Sequence, residues 1–318
     1  MKRFFLGFCL AFGLFSCTDS TTTEDQSLNA VQERRCYSHE HLEDQMALDP
    51  TLRVKMAEIE RFTEEFIRSG NRTLLADGTL QIPVVVNVLY KTAAQNISAA
   101  QIQSQIDVLN ADFSATNADY NNTPSIFQNV RSGNCGITFS LQNVVRKSTN
   151  KTSWSTNDAM KKSSQGGISP TSPTNTLNIW VCNMGNGILG YAQFPGGASA
   201  TDGVVIDDNA FGSTGTVSAP YNLGRTATHE VGHWLNLRHI WGDATCGNDQ
   251  VSDTPLHNTA NYGCPTYPHA STCTGAPVEM TMNYMDYTND ACMYMFSAGQ
   301  KARMQATYAV GGPRASFR

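Results

Sequence analysis

Residues 229–239 read His-Glu-Val-Gly-His-Trp-Leu-Asn-Leu-Arg-His. His229 and His233 stand four apart, so on a helix both project from one face, a turn apart. Two neutral imidazoles so placed can bind one Zn2+ at about 2.0–2.1 Å each. His239 lies six residues further on and would sit round the back of a continuing helix. It reaches the same ion only if the chain turns sharply in between. Glu230 adjoins the first histidine, placed to take a proton from an attacking water rather than to bind metal. Three protein ligands leave a fourth position open, the arrangement of a catalytic zinc rather than a structural one. A purely structural zinc site would leave Glu230 without a purpose.

This chemistry needs a helix near 224–236 and a sharp turn between His233 and His239. The elements that could carry them are legible. Ile82–Tyr90 is β-branched and largely apolar, a buried strand. A helix follows, with Ser98 as N-cap and Ile102, Ile106, Leu109 and Phe113 on one face. Further strands are expected at Ile137–Val144, Leu177–Cys182 and Gly203–Asp207, and a last helix at Ser297–Tyr308. Strands alternating with helices in this order predict an α/β fold, one sheet with helices against it. Residues 37–72 have helical spacing at Met56, Ile59, Phe62 and Phe66, and after Gly70 the texture changes. Beyond Trp241 the chain is rich in Gly, Asp, Cys and Tyr, with little periodicity.

With 318 residues, 40% of them hydrophobic, the chain can bury one large domain and something smaller. A net charge of −5 and no basic block argue against nucleic acid as a partner. No Gly-x-Ser-x-Gly occurs, which removes the usual serine hydrolase reading. Lys2 and Arg3 precede the apolar run Phe4–Phe15 and then Ser16-Cys17, the plan of a secretory signal, too short to span a bilayer comfortably. Its end also resembles a bacterial lipobox, with Cys17 as the lipidated residue, although Phe15 fits that pattern loosely. The expected location is therefore outside the cytoplasm, secreted or lipid-anchored at the cell envelope, with a membrane met only through that lipid. Export permits disulfides among Cys135, Cys182, Cys246, Cys264, Cys273 and Cys292.

The zinc stretch resembles the long metzincin motif, whose usual form has Gly where this chain has Asn236. Asn283-Tyr-Met-Asp-Tyr287 is similar to the Met-turn of that clan. Its distance from the zinc helix, with a Cys-rich segment between, resembles the pappalysin family of zinc endopeptidases, as do Asn178–Cys182, Gly190–Ala192 and Asp202–Val205. The resemblance implies a twisted, mostly parallel sheet with the active-site helix over a loop-rich, disulfide-bonded C-terminal subdomain. It implies Met285 as the Met-turn residue, which also reads as core packing, and Tyr287 as the phenol that meets the oxyanion. It pairs Cys246 with Cys273 and Cys264 with Cys292, and leaves Cys135 and Cys182 to pair or to stay buried thiols. Calcium is implied at Asp249, the Ser252 carbonyl and Thr254, oxygen ligands suited to it, although Asp-Thr-Pro is also an ordinary turn.

Two expectations concern control and specificity. Arg34-Arg-Cys36 resembles the family's cysteine switch, a thiolate in the open fourth position; the alternatives are a disulfide to Cys135 or Cys182, or an idle thiol. Asp290, five residues past Met285, matches the carboxylate on the floor of the pocket beside the zinc. It would select Arg, then Lys, just after the scissile bond, unless Asn289-Asp290 is only a solvated turn. The domain plan is a signal at 1–17, tether and inhibitory pro-segment at 18–72, and a catalytic domain at 73–318 with an upper part to about 239 and a lower part from 240. The expected function is that of a monomeric zinc endopeptidase made as a zymogen and acting on protein or peptide substrates. The alternative is a catalytically silent binding protein on the same frame.

Overall fold

The computed structural model describes residues 33–70 and 79–318. The leader with Cys17, the tether up to residue 32, and Arg72 lie outside these residues. Five strands form one sheet: β1 (Leu80–Tyr90), β2 (Ile137–Ser148), β3 (Leu177–Cys182), β4 (Gly190–Ala192) and β5 (Val204–Asp207). Their order across the sheet is β2-β1-β3-β5-β4. All neighbours run parallel except β4, which is antiparallel to β5. The strand expected from Gly203 begins one residue later, and β2 runs four residues beyond Val144.

Burial explains the centre of this sheet. Val84 to Leu89 of β1 and all of β3 are buried, as β-branched runs covered on both faces should be. On one face lies α3 (Ala99–Ser114), whose N-cap Ser98 Oγ accepts from the Gln101 backbone at 3.1 Å. Its Ile102, Ile106, Leu109 and Phe113 enter the main core, where Phe113 meets Phe139 edge-on at 5.0 Å. The active-site helix α4 (Arg225–Trp234) lies beside it, buried along its whole length. Below come long loops and α5 (Ala298–Thr307), which begins with a reciprocal capping box between Ser297 and Gln300. This lower region carries the Cys246–Cys273 and Cys264–Cys292 disulfides, while Cys135 and Cys182 remain buried thiols.

The N-terminal helical segment is two helices, α1 (Ser38–Leu48) and α2 (Pro50–Ser69). Asp49-Pro50 makes the break: the Asp49 side chain caps the second helix and Pro50 opens it. Gly70, with φ of 62°, ends it. Among the described residues no helix is long and apolar enough to cross a membrane.

Candidate active site

Helix α4 places His229 and His233 a turn apart, and the chain then reverses at Asn236, whose φ is 70°. Asparagine tolerates this left-handed conformation better than other side chains with a Cβ. The reversal lets the Leu237 amide bond the Gly232 carbonyl at 3.0 Å and carries His239 back under the helix. The His233 Nε2 lies 3.1 Å from the Nε2 atoms of both His229 and His239. All three rings are buried, and burial followed by the neighbouring imidazoles holds His229 and His233 well below the usual histidine range.

The far nitrogen of each ring decides what this cluster can hold. His229 Nδ1 donates to the Tyr284 carbonyl and His233 Nδ1 to the Leu237 carbonyl, each at 2.7 Å. His239 Nδ1 faces the Asp243 carboxylate. A carbonyl accepts only from N–H, so the Nε2 atoms converge as bare lone pairs, which repel at this distance unless a cation lies between them. Tetrahedral zinc at ordinary Zn–N lengths would set them about 3.3 Å apart. Cys36 Sγ is the fourth donor, and the four ligand atoms lie within 4.8 Å of one another. Three imidazoles and a sulfur fit zinc, with the sulfur in the position a catalytic site leaves open.

Below the cluster, Met285 packs against the helix at Gly232, where a Cβ would stand 2.5 Å from the Met285 Sδ. A side chain there would have to push the Met285 thioether aside. Met285 is thus both core and turn. Tyr287 lies against the rings of His239 and Trp241, at 4.9 and 4.7 Å, and its hydroxyl donates to the Cys36 carbonyl at 3.1 Å.

Glu230 is buried, and burial pushes its carboxyl up to about 7 against the hydrogen bonds it receives. Its Oε2 accepts from the Ser38 hydroxyl at 2.7 Å and faces Cys36 Sγ at 3.4 Å. β4 carries a glycine at Gly190 because a Cβ there would meet the Val205 carbonyl at 2.8 Å and Glu230 at 3.0 Å. Cys36 pairs with Gly190 in a parallel bridge, and Ser38 Oγ also accepts from the Ala192 amide at 2.8 Å. Burial and the Glu230 charge push the Cys36 thiol up; a cation in the cluster acts in the opposite sense. Neither disulfide alternative for Cys36 holds, since it, Cys135 and Cys182 are all free.

Asp290 is fully buried, so Asn289-Asp290 is no solvated turn. The Leu223 and Arg225 amides at the start of α4 donate to its Oδ2, at 2.8 and 3.2 Å. It is therefore not partnerless, as a bare pocket carboxylate would be. Its Oδ1 takes Arg34 at 2.5 Å.

In the loop after His239, Asp249 and Thr254 come together: the Thr254 hydroxyl lies 2.9–3.0 Å from both carboxylate oxygens. Ser252 stands in the same turn, exposed. Burial pushes Asp249 up to about 7. Ser38, Asp243 and Trp241 are site residues that sequence reasoning passed over. Asp243 was open to inference, as a carboxylate four residues past a ligand histidine; the parallel stacking of Trp241 on His239 at 4.3 Å was not.

Known proteins resemble this chain in sequence and fold. The Peptidase M43 family model, described as pregnancy-associated plasma protein-A, matches residues 172–309. An extracellular metalloprotease of Verticillium alfalfae is 35% identical over 239 residues, 71% of this chain and 78% of that one. That of Colletotrichum graminicola is 33% identical over 87% of this chain and 91% of its own. Mature mirolysin of Tannerella forsythia in complex with a cleaved peptide superposes with a TM-score of 0.73 at 47% identity, covering 75% of this chain and 95% of its own. A promirolysin mutant of the same organism reaches 0.81 at 43% identity, covering 89% of this chain and 97% of its own. The longer match is to the pro-form, and the chain is accordingly zymogen-like. Metalloprotease relatives leave no support for a silent binding protein. A His-Glu-x-x-His helix closed by a third histidine over a methionine turn, in a chain with these relatives, belongs to the pappalysin family of metzincin zinc metalloendopeptidases.

Proposed function

We propose that this chain is an exported endopeptidase, held latent by residues 18–72, that cleaves peptide bonds followed by arginine and, less well, by lysine. The observation that carries the reading is how three pro-segment side chains fill the site. Arg34 lies on Asp290, Cys36 Sγ joins the three histidines, and Ser38 holds Glu230. Each blocks a different function: the specificity pocket, the open ligand position and the base. The fit of Arg34 supports a pocket at Asp290 for a guanidinium, with Thr226 and the Thr288 carbonyl taking its other N–H groups at 3.2 Å. Lysine brings only a point charge and leaves those acceptors unused.

Zinc on His229, His233 and His239 would supply Lewis acidity to the scissile carbonyl and to water. Asp243 and the carbonyls of Tyr284 and Leu237 fix the three rings. Glu230 takes a proton from the attacking water and returns it to the leaving amine. The Tyr287 hydroxyl, now on the Cys36 carbonyl, is free to donate to the oxyanion once the pro-segment leaves. Arg61 and Arg68, both exposed on α2, and Arg72 beyond it are sites before which the enzyme could trim itself.

Three finer assignments belong to the same proposal. Relatives named extracellular support export, with Cys17 as a lipid anchor. Calcium at Asp249, Ser252 and Thr254 would compensate a buried carboxylate. The chain acts as a monomer on extended peptides. Peptide-library profiling with and without chelator tests the reading: cleavage before Arg, lost with chelator and with Asp290→Ala, supports it. An Arg preference that survives Asp290→Ala removes Asp290 as the reader.

A further inference from the structure

The pro-segment leaves a second imprint on the cleft. Along the free edge of β4 the contacts run in order. The Leu189 amide donates to the Arg35 carbonyl at 2.9 Å, the Tyr37 amide to the Gly190 carbonyl at 3.1 Å, and the Ala192 amide to Ser38 Oγ at 2.8 Å. Gln45 then reaches Gln193 at 3.1 Å. The next residue, Phe194, forms a small apolar cluster with Leu42, Met46 and Leu52 of the pro-segment. Progress along β4 is thus progress away from Arg34 and the Asp290 pocket, past the histidine cluster, to Phe194.

Phe194 follows two residues past the end of β4, whose Gly190 and Ala192 share one face, since strand side chains two apart point the same way. Gly190 faces Glu230, and the Phe194 ring lies 5.3 Å from that of His233. Phe194 is therefore part of the cleft floor on the far side of the metal ligands. Its cover comes from Leu42, Met46 and Leu52, each under 9% exposed, together with partly buried Met56. All four belong to the segment proposed to leave on activation. What remains is an apolar floor beside an open strand edge, and an open edge is where an extended peptide adds main-chain hydrogen bonds while pockets read alternate side chains.

We infer that Phe194 floors an apolar subsite that selects an aliphatic residue, leucine or methionine above all, two to three residues before the scissile bond. This rests on the reading of Asp290 as the pocket for the residue after that bond: if arginine lies on one side of the metal, the residues before the cut lie toward Phe194. The occupant is written in the latent form, where unbranched or γ-branched side chains, Met46, Leu42 and Leu52, fill the site. Such side chains fit a pocket of one aromatic face and a strand edge without a polar partner. Substrates would then be read at two points, a cation beyond the cut and an aliphatic anchor before it.

The test is cleavage of a peptide library with arginine fixed after the bond and the three preceding positions varied, by the activated, zinc-loaded chain. Leu or Met should exceed Gly or Asp at one of these positions by at least about tenfold in kcat/KM, the scale on which one apolar contact discriminates. Phe194→Ala should reduce that ratio to within about threefold of unity while the Arg-to-Ala ratio after the bond persists. Phe194→Leu, which keeps an apolar floor, should retain it, and bound zinc is measured in both. If Phe194→Ala yields no zinc-loaded protein, Phe194→Leu and Phe194→Trp decide, since a reshaped floor must shift the ranking of Leu, Met and Phe. No aliphatic preference in the parent, or one indifferent to every Phe194 variant, overturns the subsite with the arginine pocket standing. Loss of the arginine preference alone would instead count against Asp290.

Discussion

Arg34 and Asp290 meet at 2.5 Å across 256 residues of sequence, both fully buried. The proposed pro-segment thus lays its own cation on the carboxylate proposed to read the substrate, two residues before the sulfur that joins the histidines. Removing one partner of a buried ion pair costs about 3–5 kcal/mol, because the other charge is stranded. Here the Leu223 and Arg225 amides still serve the carboxylate, so the lower end applies. Arg34→Ala should shorten the lag before spontaneous activation by on the order of a hundredfold, and Arg34→Lys should recover part of it. Activation time courses at equal protein concentration measure both. A lag unchanged in Arg34→Ala would leave Cys36 and Ser38 as the whole latch.

Glu230 contacts Ser38 and Cys36 but does not point its carboxylate into the imidazole cluster as a fourth ligand. Glu230→Ala should reduce turnover by at least about a hundredfold, the scale of general base catalysis, and leave zinc content unchanged. His239→Ala should do the reverse in the metal assay and lower zinc affinity. Zinc per chain by elemental analysis separates the roles; metal loss in Glu230→Ala would make it a ligand.

Asp243 orients His239 through Nδ1 and holds that proton, while burial opposes and the histidine favours its own ionised form at about 2. Outer partners of this kind typically carry 10- to 100-fold in metal affinity. Asp243→Asn should therefore raise the zinc dissociation constant by about tenfold. Competition against a chromogenic chelator reads it, and Asp249→Asn, outside the zinc shell, serves as the comparison.

What could be read in advance was local. The zinc helix announces itself through a four-residue histidine spacing, and α3 through Ser98 and a 3.6-residue apolar repeat. The break between α1 and α2 was equally present in Asp49-Pro50, and the helical spacing from Met56 onward masked it. β4 is different in kind: three residues, Gly190–Ala192, carry no periodicity, and only a neighbouring strand makes them one. Ser38 is an ordinary serine until a carboxylate 192 residues away is laid against it. Phe194 likewise shows an aromatic residue in a loop and nothing of His233. Interactions between distant segments need the fold, and the latch is made almost wholly of them.

The latch also contains a buried histidine away from the metal cluster. His41 of α1 is almost fully covered and packs edge-on against Tyr191 at 4.8 Å. Asp158 lies 3.2 Å away, but that carboxylate already holds Lys161 at 2.9 Å; the Asp44 charge acts on it more weakly. A proton on His41 would therefore add a net positive charge to a closed site. Burial first, then the Lys161 charge, lower its pKa from 6.5 to about 4. The undocked segment thus binds the proton more tightly than the docked one. Docking strength is full above 6.5 and falls as the pH drops from there toward 4, by up to about tenfold per pH unit. At pH 5 the two pKa values give about 30-fold weaker docking. Hydrogen exchange of the α1 amides, corrected for intrinsic rate, should show this loss between pH 7 and 5 in the parent and a much flatter profile in His41→Gln. Equal slopes in the two proteins would place the acid sensitivity elsewhere, in groups the pro-segment covers rather than in His41 itself.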